Sequence, residues 1–159
     1  MAAGNPALEA AVRRARSLLH RRALVAAAAS TVPVPGLDWA VDAALLSRLL
    51  PRISAEFGLS PAQIDALDPT QRERVQKAVA LVGSVLIGKL ITRELVLRAT
   101  QAVGLRLSAR QAAKFVPLAG QAAAAALGYA TLRYLGEQHL RDCVRVVQET
   151  GLLLPAPRR

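Results

Sequence analysis

Leu8, Val12, Ala15, Leu19, Ala23 and Ala26 recur at intervals of three and four residues near the start of this chain. Only an α-helix gathers positions spaced this way onto one face. Asn5-Pro6 supplies the start, since proline in a first turn has no needed N–H to lose. Arg13, Ser17, His20 and Arg21 fall on the opposite face, with Arg14 and Arg16 on the flanks. The spacing therefore predicts a basic amphipathic helix reaching Ala29.

The rest of the chain is punctuated helix. Val32-Pro33-Val34-Pro35-Gly36 predicts an extended turn, because each proline disfavours α geometry in the residue before it. Asp38 and Asp42 then sit in the first turns of a second helix, where the helix dipole favours anions. Pro51 is expected to kink or end that helix, and Phe57-Gly58 to close the segment with a left-handed cap. Ser60-Pro61-Ala62-Gln63 and Asp68-Pro69-Thr70-Gln71 each combine a cap residue, proline at the first helical position and glutamine at the third. The second signal predicts a long helix from Pro69 to Val103, ended by Gly104. Its middle, Ala78 to Leu86, is apolar on every face and is expected to be enclosed. Ser108 caps a short helix leading to Phe115-Val116-Pro117-Leu118. A last helix is predicted from Ala119 to Thr150, stopped by Gly151.

In that last helix Gly120, Ala124 and Gly128 form a stripe of small residues that permits close approach of another helix. Arg133, Glu137 and Arg141, continued by Arg145 and Glu149, have the i, i+4 spacing of a solvated face. The Pro/Gly turns at 32–36 and 116–120 align at an offset of 84 residues as a weak internal repeat. The expected fold is all-α: a single-domain bundle of about four main helices plus short connecting helices. It covers residues 7–151, with a flexible start at 1–6 and a flexible tail at 152–159.

Chemistry finds little foothold. Apolar residues make up 53% of the chain and aromatics only 3%, so the core is built from Ala, Leu and Val. Cys143, the only cysteine, reads as a buried spacer, although Arg141 and Arg145 are near in sequence. His20 lies among arginines on an exposed face, neither histidine has a Cys or acidic cluster at metal-ligand spacing, and Glu137, two residues before His139, does not share its face. Asp38 and Asp42 share a face but are better read as stabilising a helix start than as paired catalytic carboxylates. Gly83 to Gly88 lacks the ending and the preceding strand of a phosphate loop. The reading is a protein that is not an enzyme and has no metal or cofactor.

The net charge of +10 raises nucleic acid and anionic membranes as partners. Residues 1–30 hold five arginines against one glutamate, residues 37–77 are near neutral, and residues 78–114 carry six positive side chains against one negative. Specific nucleic-acid recognition is disfavoured, because no basic recognition helix follows a short turn and stacking aromatics are few. Membrane contact has better support. The first helix has the form of an interfacial anchor, with Arg13, Arg14, Arg16, Arg21 and Arg22 as the contact residues. Residues 115–132 form an uncharged run close to the lower limit for a span, but a buried core helix is the favoured reading. A hairpin through 78–91 and 115–132 is disfavoured by Lys89 and by its short arms. A mitochondrial presequence, which shares an Arg-rich and acid-poor start, is kept as a minor alternative.

Val32-Pro33-Val34-Pro35-Gly36-Leu37, followed by Ala40-Val41-Asp42-Ala43-Ala44-Leu45-Leu46, resembles the helical domain that follows the GTP-binding domain in immunity-related GTPases. It is also similar to a bacterial helical domain of unknown function found with or near GTP-binding domains. Phe57-Gly58-Leu59 and the second turn at Phe115, Pro117 and Gly120 extend the likeness, which covers residues 24–149. No nucleotide-binding motif precedes the match, so GTPase activity is not implied. The resemblance implies a compact helical module for membrane or partner contact. Pro33, Pro35, Gly36, Asp42, Gly58, Pro117 and Gly120 would be architectural in it. The expectation is a helical interaction module, cytoplasmic or peripheral on the inner face of the membrane, contacting an anionic surface or an acidic protein. The alternative is a partner-binding subunit of a separate GTP-binding protein. A homo-oligomer is compatible with either.

Overall fold

A computed structural model of the chain describes residues 5–29, 37–83 and 117–155. They form an all-α bundle with the helices α1 (Pro6–Ala29), α2 (Leu37–Glu56), the short α3 (Pro61–Asp65), α4 (Pro69–Val82) and α5 (Pro117–Thr150). α1 packs on both α5 and α2, α2 also meets α5, and α4 covers another side of α5.

The helix ends follow local chemistry. The Asn5 side chain accepts from the N–H groups of Ala7 and Leu8, each at 3.1 Å, and so satisfies the first orphan donors of α1. Ser60 and Gln63 form a reciprocal capping box, and Asp68 accepts from the Gln71 N–H. Gly58 takes φ +72°. Around it the Leu59 N–H reaches the Ser54 carbonyl and the Gly58 N–H reaches that of Ala55, the double closure of a Schellman motif. Leu152 and Pro155 pack against Gly58, which keeps the chain in contact with the bundle beyond Gly151.

At Pro51 one of the two expected outcomes is excluded, and the expected length of the helix from Pro69 is corrected. Pro51 does not end α2, which continues to Glu56. An interior proline costs about 3 kcal/mol. Ile53 and Phe57 beyond it are fully buried, and burying each stabilises by about 1.5–3 kcal/mol, enough to carry the helix past the break. The helix begun at Pro69 does not run to Val103. It stops at Val82, because Gly83 adopts the left-handed conformation (φ +70°) and its N–H turns back to the Ala80 carbonyl. Nor is the described part of the apolar stretch enclosed, since Leu81 is 84% exposed. The short helix expected from Ser108 lies outside the described residues.

Helix directions follow from reach. Arg14 of α1 touches Glu56 of α2. From these residues to the ends facing the linker is roughly 22 Å along α1 and roughly 28 Å along α2. A parallel pair would place Ala29 and Leu37 about 50 Å apart, whereas the seven intervening residues span at most about 28 Å. The two helices are therefore antiparallel. α1 and α5 are antiparallel as well, since Leu19 sits on Gly136 while Leu8 lies beside Val147.

The α1–α5 contact is close. Ala11, Ala15, Leu19, Ala23 and Ala26 have no exposed surface, and Leu19 meets Gly136 of the facing helix. A Cβ on Gly136 would stand 2.3 Å from Leu19 Cδ1 and 3.2 Å from its Cγ. Leu19 is fully enclosed and has nowhere to swing. Gly136→Ala is expected to destabilise the protein by about 1–3 kcal/mol, as overpacking does. Chemical denaturation checks this, and in the double variant with Leu19→Ala the cost of the added methyl should largely vanish.

Candidate functional site

The five contact arginines divide once the bundle is assembled. Arg14 and Arg16, on the flanks of α1, reach across to neighbouring helices. Arg14 Nε donates to Glu56 Oε2 and Arg16 Nη2 to Glu137 Oε1, each at 2.6 Å. The Glu137 side chain is only 17% exposed. This corrects the reading of Arg133, Glu137 and Arg141 as one solvated stripe, because Glu137 turns to α1 instead. Arg13 faces outward and has only a loose contact to Glu9 at 3.9 Å. Arg21 is exposed and Arg22 half-buried, and neither has an ion-pair partner among the described residues. Beyond them on the same helix Leu24 is 52% and Val25 51% exposed.

Of the architectural positions, Gly58 makes the turn described above. Asp42 lies in α2, and Pro117 and Gly120 in the first turn of α5, with side chains outside the described part. Pro33, Pro35 and Gly36 lie outside the described residues altogether. His20 is exposed, as expected, with Nδ1 3.1 Å from the Tyr129 hydroxyl of α5.

One polar cluster was not legible. Ser54 Oγ of α2 is hydrogen-bonded to His139 Nε2 of α5 at 2.9 Å, and Cys143 Sγ lies 3.7 Å from the same nitrogen. All three residues are buried, none more than 3% exposed. The pairing spans 85 residues of sequence, and no periodic signal announces it. Burial lowers the pKa of His139 to about 4, with the Leu50 backbone acting weakly in the opposite direction. Nδ1 makes no hydrogen bond of normal geometry. Burial also drives the Cys143 thiol far above its usual range, with Ser54 opposing and Asp142 adding to the shift. A thiol held protonated beside a neutral imidazole, away from solvent, is not an activated nucleophile. The cluster acts as a polar pin between α2 and α5.

Two shallow surface clefts lie among the described residues. One, of about 250 Å³, is lined by Arg133, Tyr134, Glu137, Gln138 and Arg141. The other, of about 290 Å³, lies between the start of α1 and the end of α5, beside Leu8, Val147 and Leu152. Among the described residues no three His, Cys, Asp or Glu side chains gather as a metal site, and no helix is long and apolar enough to cross a membrane. Comparison with protein-family models, with curated proteins and with solved structures finds no match.

The histidine gives a pH prediction. Between pH 6.5 and 4 the unfolded chain takes up a proton at this position that the folded chain refuses. Stability from this group is thus fully present above pH 6.5 and is lost as pH falls toward 4, by up to about 3 kcal/mol. Denaturation series at stepped pH should show a shallower acid loss for His139→Gln than for the native protein. Cys143 should resist a thiol-reactive maleimide until denaturant is added, which mass spectrometry of the native and unfolded protein would check.

Proposed function

We propose that this chain is a non-enzymatic helical interaction module whose contact surface is the outward face of α1, and that the surface it meets is an anionic membrane. The carrying observation is the side-by-side exposure of Arg21, Leu24 and Val25, with Arg13 two turns earlier on the same side. Guanidinium groups can lie against lipid phosphates while aliphatic side chains enter the acyl boundary. Each basic residue near an anionic leaflet contributes about 1 kcal/mol, so a contact of this size is reversible and sensitive to salt. The overall charge of +10 adds long-range attraction. In this reading the protein is peripheral on the inner face of a membrane. The likeness to GTPase-associated helical domains would add a GTP-binding protein as a neighbour.

Flotation with phosphatidylcholine vesicles, with and without phosphatidylserine, tests the proposal. The expected result is binding to the anionic vesicles alone, released by high salt and lost in the Arg13→Glu/Arg21→Glu/Arg22→Glu variant. Equal binding to neutral vesicles, or no change in the variant, would overturn it.

A further inference from the structure

The α1–α2 seam adds two arginines to this surface. Antiparallel pairing with Arg14 opposite Glu56 sets the register, so position 18 is level with 52 and position 22 with 48. Arg21 lies seven residues beyond Arg14, two turns on and on the same flank of α1. Arg52 and Arg48 lie one and two turns before Glu56, on the outward side of α2, and both are exposed. Arg21, Arg48 and Arg52 therefore fall within about two helical turns, roughly 11 Å, along one seam.

The seam is electrostatically unbalanced. Glu56 is the one carboxylate on the described α2 side chains, and Arg14 already holds it at 2.6 Å. None of Arg21, Arg48 and Arg52 has an ion-pair partner among the described residues. Three exposed arginines at neighbouring levels of the two helices, without an ion-pair partner among the described residues, make a surface whose complement is a compact, multiply charged anion, and arginine's forked donors match phosphate oxygens. Val25, one turn beyond Arg21 on the same flank and half exposed, gives the site an apolar end. An apolar border beside a phosphate site suits a headgroup still attached to its acyl chains better than a free anion.

We infer that Arg21 of α1 and Arg48 and Arg52 of α2 together form a binding site for a phosphorylated lipid headgroup. This rests on the membrane reading above and narrows it from a general anionic surface to a two-helix phosphate site. Arg48 and Arg52 carry no sequence signal of their own, since they become part of a site only through the register that Arg14 and Glu56 impose.

The test uses the full chain and three kinds of vesicle: phosphatidylcholine alone, with phosphatidylserine, and with phosphatidylinositol bisphosphate at matched surface charge. The bisphosphate vesicles should bind most tightly. Arg48→Glu/Arg52→Glu should weaken that binding at least tenfold while leaving the helical circular dichroism and melting temperature unchanged. Arg74→Glu/Lys77→Glu, the same charge change on α4, should weaken it far less. Equal losses in the two variants would mean that binding follows net charge, and would overturn the seam while leaving the α1 contact in place. Wild-type protein that floats with none of the vesicles would overturn the membrane reading itself. Soluble inositol trisphosphate binding as tightly as the vesicles would replace the lipid with a free phosphate ligand. Loss of RNA binding in the seam variant, with vesicle binding intact, would assign the site to nucleic acid.

Discussion

Leu19 resting on Gly136 sets the spacing of the bundle. A chain with so few aromatic side chains cannot fill a wide gap between helices, so its core must be thin. α1 meets this constraint with alanines at 11, 15, 23 and 26, and α5 meets it with Gly136. Close backbones bring many small contacts together, and dispersion summed over a 24-residue helix replaces the burial that large side chains provide elsewhere. The same closeness brings the flanks of α1 within reach of its neighbours. Arg14 and Arg16 can bridge to α2 and α5 because the helix between them carries little bulk on its inner face.

A thin, nearly uniform core of Ala, Leu and Val has a weakness of its own: one register is almost as good as another. Polar groups that must find each other remove that degeneracy. Ser54 and His139 pair across α2 and α5, and a slip of one turn would leave both buried without a partner. The Arg14–Glu56 and Arg16–Glu137 pairs add outer constraints of the same kind. Burying a neutral histidine costs stability in acid, but it fixes which residues face which, and the surface depends on that register.

Local signals were legible and long-range ones were not. The stripe from Leu8 to Ala26, the caps at Asn5, Ser60 and Asp68, and the left-handed turns at Gly58 and Gly151 each depend on residues within one or two turns. Sequence shows such neighbours directly. Gly83 misled because an apolar run on both sides looks like a continuing helix, although glycine costs a helix and closes one well. Pro51 left two outcomes open, a kink or an end, and the burial of Ile53 and Phe57 that carries α2 past it is a tertiary fact. Glu137 has an arginine four residues away on either side, yet it bonds to one 121 residues distant. Intrahelical spacing offers a partner but does not choose it.

The basic character of α1 divides along the same line between local and assembled structure. Composition counts five arginines near the start as one feature, and helical phase separates them by role. Those about a quarter-turn from the outward direction are drawn into seams by carboxylates on α2 and α5, and they serve the fold. Of those facing outward, Arg21 meets no acid among the described residues and Arg13 has only its loose contact to Glu9, so no buried neighbour explains them. A guanidinium paired at 2.6 Å contributes little field beyond its partner. The effective charge of the surface therefore comes from Arg13 and Arg21 together with the arginines that α2 presents beside them. Folding neutralises Arg14 and Arg16, and it leaves Arg13, Arg21, Arg48 and Arg52 exposed on α1 and α2.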